Sequence, residues 1–373
     1  MTHKSGQPQW FNAGREFFPA MLSAIEGAKT SVELEIYIFA GDQTGQTFLQ
    51  ALTGAARRGV QVRVLADSFG SFLLPGDFFA PLTAAGGMVK FFNPLRFSRF
   101  GVRDHRKLLL CDQKTIFIGG ANISDDYAGD GITQGWFDTM TRLEVATLAT
   151  LLLMEFQRLF TNAEFESTKR RRLRAFRPLR RKDGETQLFP EKPGRNAGSF
   201  QRALQNELAS ATTADFITPY FLPRRRLRRE LRQVVKRGGR VRLLLAGKND
   251  VLLAQLAAYV YYPRLLRAGV EIYEYQPQIL HAKLYRVDGK VFAGSTNLDV
   301  RSLKLNYELM LCFRDTASVK AAKKIFEDAL QHSRRIELKP FRKSQGFWQR
   351  WKNHWAHFLL KRIDPLVALR HIR

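Results

Sequence analysis

The chain has 373 residues and carries 60 Lys and Arg against 34 Asp and Glu, a formal charge of +26. A surface so basic points to anionic partners, either phospholipid head groups or nucleic acid. Its two cysteines, Cys111 and Cys312, each lie in an apolar run and read as buried free thiols, and nothing suggests a disulfide framework or a cysteine metal site. No apolar run approaches the ~20 residues of a spanning helix; the nearest, Leu143 to Phe156, contains Glu144 and Glu155. The opening MTHKSGQPQW lacks the apolar core of a secretory leader, so a soluble or peripheral intracellular protein is expected.

In chain order, Phe17 to Ala28 reads as a helix, with Phe18, Met21, Leu22 and Ile25 at helical spacing. Ser31 to Phe39 reads as a strand. Thr44 to Arg58 reads as an amphipathic helix ended by Gly59, and VQVRVLAD as a strand. A helix near Pro81, closed by Gly86 and Gly87, leads to the strand MVKFF. This alternation predicts a mostly parallel sheet covered on both faces. The second half repeats the order: helix from Phe200 to Ser210, strand from Ala214 to Phe221, helix from Pro223 to Lys236, strand VRLLLAG, helix from Leu252 to Arg267, strand VEIYEY. Arg58-Gly59-Val60 matches Arg237-Gly238-Gly239, and Ala85-Gly86 matches Ala268-Gly269. The chain is therefore an internal duplication.

The duplication carries one motif twice. HRKLLLCDQKTIFIGGANIS supplies His105, Lys107 and Asp112, then Asn122; HAKLYRVDGKVFAGSTN supplies His281, Lys283 and Asp288, then Ser295 and Asn297. On a strand, residues two apart share a face, so His281 and Lys283 project together while Ala282 turns inward. Asp288-Gly289 reads as a two-residue hairpin turn. The segment between Asp and the following Gly is one residue shorter in the second copy, which leaves the direction of Ser295 open. No metal-ligand cluster and no phosphate-cradling loop is apparent, so no metal or cofactor is expected.

A duplicated H-x-K-x4-D identifies the chain as similar to the phospholipase D superfamily, and within it to bacterial cardiolipin synthases without transmembrane helices. The similarity runs from about Phe11 to about Phe326 and includes Glu35 to Phe39, the PYFLP segment around Tyr220, and Asn297-Leu298-Asp299 with Arg301, Ser302 and Asn306. The resemblance implies an α/β fold of two pseudo-symmetric αβα sandwich halves with the active site at their interface. We divide the chain into an N-terminal half (1–168), a basic linker (169–198), a C-terminal half (199–338) and an amphipathic tail (339–373). It further implies a metal-free phosphatidyl transfer. One imidazole attacks phosphorus, the other protonates the leaving alcohol, and Lys107, Lys283, Asn122 and Asn297 hold the phosphate oxygens. His105 is assigned as nucleophile and His281 as acid; the near equivalence of the motifs leaves the reverse open. By resemblance Glu308 anchors His281 and Asp138 anchors His105, while Asp112 and Asp288 orient their motifs. Tyr37, Tyr220 and Arg224 are expected at the substrate.

The implied reaction joins two phosphatidylglycerol molecules into cardiolipin with release of glycerol. The partners implied are anionic phospholipids (phosphatidylglycerol and cardiolipin) at the cytoplasmic face of a bacterial membrane, and nucleic acid is not expected. A phospholipase D-type hydrolase or nuclease and a non-catalytic lipid-binding scaffold are the competing readings. Two basic stretches, Lys169 to Lys182 and Arg224 to Arg232, read either as solvated surface or as contacts to anionic lipid. In the tail, Phe347, Trp351, Trp355, Phe358 and Arg362 recur at helical spacing, with Trp348 and Leu359 beside them. That pattern fits a helix lying in a membrane interface.

Overall fold

The structure, a computed structural model, describes residues 7–94, 101–163, 182–183, 185–194 and 198–363. The basic stretch from Lys169 to Lys182 therefore lies outside the described residues except for the backbone of Lys182, and the side chain of Arg362 lies outside them too.

The described residues build two sheets. The first contains β1 (Gln9–Phe11), β2 (Ser31–Ile36), β3 (Gln61–Asp67), β4 (Met88–Phe92), β5 (Leu108–Cys111), β6 (Thr115–Gly119) and β7 (Met140–Glu144), in the order β1-β7-β6-β5-β2-β3-β4. The second contains β8 (Lys182–Asp183), β9 (Thr186–Glu191), β10 (Thr213–Thr218), β11 (Arg240–Ala246), β12 (Glu271–Tyr275), β13 (Leu284–Val287), β14 (Lys290–Gly294), β15 (Glu308–Phe313) and β16 (Ser333–Ile336). Its order is β16-β12-β11-β10-β13-β14-β15-β9-β8.

Both sheets are mixed, which corrects the expectation of a mostly parallel sheet. Only β2-β3-β4 and β10-β11-β12 run parallel. Their crossovers are helices, whereas each repeated motif is a hairpin, and a hairpin can join only antiparallel strands. The region expected as linker contributes β9, which pairs with β15 along its whole length. The expected helix from Leu252 to Arg267 is two helices, Leu252–Tyr259 and Tyr262–Arg267, with Pro263 in the first turn of the second. Proline has no N–H to continue the first ladder and suits a new helix start.

The duplication is exact in its turn chemistry. Gly59 and Gly238 both have φ +86°, and Gly86 and Gly269 have φ +90° and +85°. Each pair closes a helix in the left-handed conformation that glycine adopts without strain.

Strand alternation assigns the cores. Leu108 and Leu110 face inward between the sheets, joined there by Leu284, Leu309 and Leu311 of the other half, while Leu109 and Cys111 face the first half's own helices. Met310 and Cys312 do the same in the second half. The helices Ala146–Thr161 and Thr316–Gln331 lend Leu148, Leu152, Ile325 and Phe326 to the shared central core. Burying each such side chain contributes roughly 1.5–3 kcal/mol, so the halves are held together by a core of their own.

The C-terminal helix Phe347–Phe358 packs on the helix Leu252–Tyr259. Its buried residues are Asn353 and Ala356, and its His357 Nε2 lies 2.7 Å from the Tyr261 hydroxyl. Phe347, Trp348, Trp351, Trp355 and Phe358 stay exposed. Among the described residues no helix is long and apolar enough to cross a membrane.

Candidate active site

Each motif is an extended segment running into a hairpin. Cys111 pairs with Thr115 and Val287 with Lys290, giving a three-residue and a two-residue turn. Asp112 and Asp288 occupy those turns at φ +52° and +46°, a region that Asp tolerates. Asp112 accepts from the backbone N–H of Lys29, Thr30 and Ser31, at 2.7 Å for Thr30. Asp288 accepts from Thr212 and Thr213, at 2.7 Å for Thr213. The third member of each motif therefore clamps its hairpin to the start of β2 or β10 and stands at the opposite end of the hairpin from the histidine.

The halves meet in two short seams. Asp104 bridges Tyr307, with His105 N donating to Tyr307 O at 2.9 Å; Phe137 bridges Leu280, with His281 N donating to Phe137 O at 2.8 Å. Each seam lays the approach to one histidine beside the residue preceding the other half's acid. The acids therefore cross over: His105 Nδ1 lies 3.1 Å from Glu308 Oε2, and His281 Nδ1 lies 2.6 Å from Asp138 Oδ2. This corrects the expected assignment of Glu308 to His281 and Asp138 to His105. The cause is the seam pairing, a contact between halves.

The hairpin difference also resolves. Gly119 pairs with Met140 and Gly294 with Met310, so Gly120 and Ser295 are equivalent. A Cβ at Gly120 would stand 2.2 Å from Asp138 Oδ1; only glycine leaves space for this short acid. Glu308 is one carbon longer, and Ser295 fills the matching position, donating its hydroxyl to Glu308 Oε2.

Two lysines complete the cluster. Lys107 Nζ donates to the His105 carbonyl at 2.8 Å. Lys283 Nζ donates to the His281 carbonyl and lies 3.0 Å from Nε2 of the same ring. Both lysines are buried. Burial lowers Lys107 to about 7, aided by Lys283 and opposed by Glu308. Burial lowers Lys283 to about 8, against the pull of Asp138 and Asp250. Both imidazoles are held below their ordinary value, first by burial and then by the lysine charges. Burial pushes Glu308 up to about 8 in spite of Lys107. Burial acts on Asp138 in the same sense, but Lys283 and His281 outweigh it and hold the acid below its usual range. Two buried lysines destabilised in this way would be stabilised by an anion beside them.

The remaining expected residues divide. Tyr37 packs edge-on against the His105 ring at 4.9 Å, with Lys107 Nζ over its own ring at 5.1 Å. Asn297 is buried with Oδ1 unpartnered. Asn122 is tied into the protein: its Oδ1 accepts from Ile38 N at 3.1 Å and its Nδ2 donates to the Tyr127 hydroxyl at 2.9 Å. Tyr220 donates to Asp250 Oδ2 at 2.5 Å. Arg224 is exposed at the N-cap of the helix Arg225–Lys236, where its charge acts on Lys304.

Sequence reasoning gave no site role to four contributors. Tyr127 and Trp136 wall the His281 ring at 5.4 and 5.6 Å. Asp250 acts electrostatically on both His281 and Lys283. Ser302 hydrogen-bonds Glu308. Tyr127 and Ser302 each follow the motif asparagine by five residues, a positional signal hidden by their unlike side chains. Among the described residues no group of three His, Cys, Asp or Glu is placed to hold a metal ion.

Comparisons with known proteins show the family and the fold. A family model described as cardiolipin synthase, PLD-like domain, matches residues 21–160 and 204–330. A probable cardiolipin synthase of Bacillus subtilis (strain 168) is 30% identical over 354 residues, 92% of this chain and 69% of that protein. Cardiolipin synthase 1 of Bacillus anthracis is 31% identical over 368 residues, 95% of this chain and 71% of its own length. Among solved structures, phosphatidylserine synthase of Haemophilus influenzae Rd KW20 matches with a TM-score of 0.77 over 97% of this chain and 95% of that one, at 15% identity. At that identity the likeness is one of fold.

Proposed function

The chain belongs to the family of cardiolipin synthases with phospholipase D-like domains, and from that premise we propose that it joins two phosphatidylglycerol molecules into cardiolipin through a phosphohistidine. The observation that carries the proposal is the convergence, from both halves, of two imidazoles with crossed buried acids and two buried lysines.

His105 Nε2 attacks phosphorus while Glu308 holds Nδ1. The bond to the glycerol oxygen breaks, and His281 gives that oxygen a proton. His281 then takes the proton from a hydroxyl of the second phosphatidylglycerol. That oxygen attacks phosphorus and the bond to His105 breaks, leaving cardiolipin, free glycerol and the enzyme as it began. Lys107 and Lys283 neutralise the equatorial oxygens. The greater exposure of the His105 side chain, 12% against 5% for His281, favours it as the group that meets phosphorus first.

The enzyme works as a peripheral protein on the cytoplasmic face of the membrane. The exposed stripe from Phe347 to Phe358, with Arg350 and Lys352 beside it, supports an interfacial helix. Lipid mass spectrometry of a cardiolipin-deficient bacterium expressing the chain tests the function. Cardiolipin should appear, and should be lost with His105→Ala or His281→Ala. Phosphatidic acid without cardiolipin would make the enzyme a hydrolase instead.

A further inference from the structure

Two exposed apolar tips occur at equivalent places in the halves. Phe72 and Leu73 follow the end of β3, and Val251, Leu252 and Leu253 follow the end of β11. Leu73 is 83% exposed and Leu252 is 64% exposed. Both loops are fastened to the strand end beside them. Ser71 Oγ donates to Tyr37 O at 3.3 Å, and Asn249 Nδ2 donates to Pro219 O at 3.2 Å. Neither tip is a loose end.

Each tip is also wired to its own side of the site. Phe72 stacks on Phe69, whose ring lies under the Arg103 guanidinium at 5.4 Å. Asp67, at the base of the loop, accepts from Phe69 N and from Asp104 N, the residue before His105. On the other side Asp250, next to Val251, accepts from Tyr220 and acts on His281 and Lys283. One tip therefore stands beside the His105 side of the cleft and the other beside the His281 side.

Basic groups adjoin the second tip. Lys248 is exposed in the same loop, and Arg224, Arg225 and Arg226 are exposed just past Leu222, which is bonded through its N–H to Leu298 beside Asn297. The C-terminal helix, with its aromatic stripe, packs on the helix that Leu252 begins. Two exposed apolar tips, the second with exposed cations on its side of the molecule, complement an anionic phospholipid leaflet, in which acyl chains lie under negative head groups.

We propose that Phe72–Leu73 and Val251–Leu253 are paired docking points that enter an anionic leaflet together, setting the cleft mouth over the head groups between them. The inference rests on the phosphatidyl-lipid reading above, but its test reads membrane contact and not turnover.

Three full-length variants, Leu73→Cys, Leu252→Cys and Gly289→Cys, are labelled with an environment-sensitive fluorophore and mixed with phosphatidylglycerol–phosphatidylcholine vesicles. Cys111 and Cys312 are buried. Gly289 is exposed at the hairpin turn, at the far end of β13 from Lys283, and a Cβ there meets nothing within 4 Å. The labels at 73 and 252 should shift to the blue, and the label at 289 should not. The double variant Leu73→Ser with Leu252→Ser should bind the vesicles at least about tenfold more weakly, because each tip loses an exposed leucine that would enter the leaflet, with its melting temperature unchanged. A shift at one tip alone, or at neither, overturns the proposal. So does a shift before vesicles are added in a protein that sediments as a dimer, since a second copy would then cover the tips. Blue shifts at both tips in a protein that makes no cardiolipin would support the docking points while overturning the proposed function.

Discussion

Asp138→Asn isolates the crossed acid of His281. The side chain is wholly buried, and its Oδ2 lies 2.6 Å from His281 Nδ1. Asparagine keeps the shape, and its oxygen can still accept from Thr139 N, which bonds Oδ1 at 2.7 Å. What disappears is a full negative charge beside an imidazole that must carry a proton during transfer. At an effective dielectric of ~20 and a charge separation of ~4 Å, that attraction is about 4 kcal/mol, which corresponds to about a thousandfold in rate. A comparable carboxylate-to-amide change beside the histidine of a Ser-His-Asp triad costs ~10⁴-fold. Lipid turnover should therefore fall about 10³-fold, with thermal stability little changed. The half-reactions should separate on a p-nitrophenyl phosphodiester, whose leaving group needs no acid. Asp138→Asn should keep a burst of p-nitrophenol, whereas Glu308→Gln, which unanchors His105, the proposed nucleophile, should lose it. Lipid turnover within tenfold of wild type would refute the argument. A burst lost in Asp138→Asn and kept in Glu308→Gln would reverse the roles of the histidines.

Three more outcomes follow from the same geometry. Lys107 and Lys283 are lowered to about 7 and about 8, so they carry charge only below those values; sulfate, which does not itself titrate here, should bind at least about tenfold more weakly at pH 9 than at pH 6 by calorimetry, and a flat profile would contradict buried cations. Gly120→Ala puts a methyl 2.2 Å from the Asp138 carboxylate and should cost on the order of 100-fold in kcat, whereas Ser295→Ala, which removes only one donor to Glu308, should cost ~10-fold; equal effects would show that Asp138 gives way. Asp112→Ala and Asp288→Ala remove side-chain caps on backbone N–H groups and should each cost about 1–2 kcal/mol of stability, read as a melting point lower by a few degrees with kcat moved less than threefold.

Much of this site was legible in the residues. The spacing of His105, Lys107 and Asp112, and its repetition at His281, Lys283 and Asp288, located the cleft, and the matched glycines located the repeat. Glu308 and Asp138 were recognised as the anchoring acids, but each was given to the wrong ring. Strand periodicity describes which way a side chain points within its own sheet and carries nothing about which strand of another half lies against it. Asp250 was missed for the same reason: only folding brings it to Lys283. The helix break at Pro263 was written in the chain but masked by the continuous apolar pattern from Leu252 to Leu266. The aromatic stripe of the last helix, expected to lie in a membrane interface, is exposed, and the face turned to the protein is Asn353 and Ala356.

The crossed acids bear on ancestry. In an ancestor with one copy of the unit, the same crossing would need a pair of identical molecules trading acids across a twofold axis. Fusing the two genes would keep that exchange while freeing the copies from being alike. The two rings now have different keepers: a short acid against a bare glycine at Asp138 and Gly120, and a longer acid with a serine at Glu308 and Ser295. Two imidazoles that once had to serve both tasks equally can then specialise, one for attack and one for proton delivery.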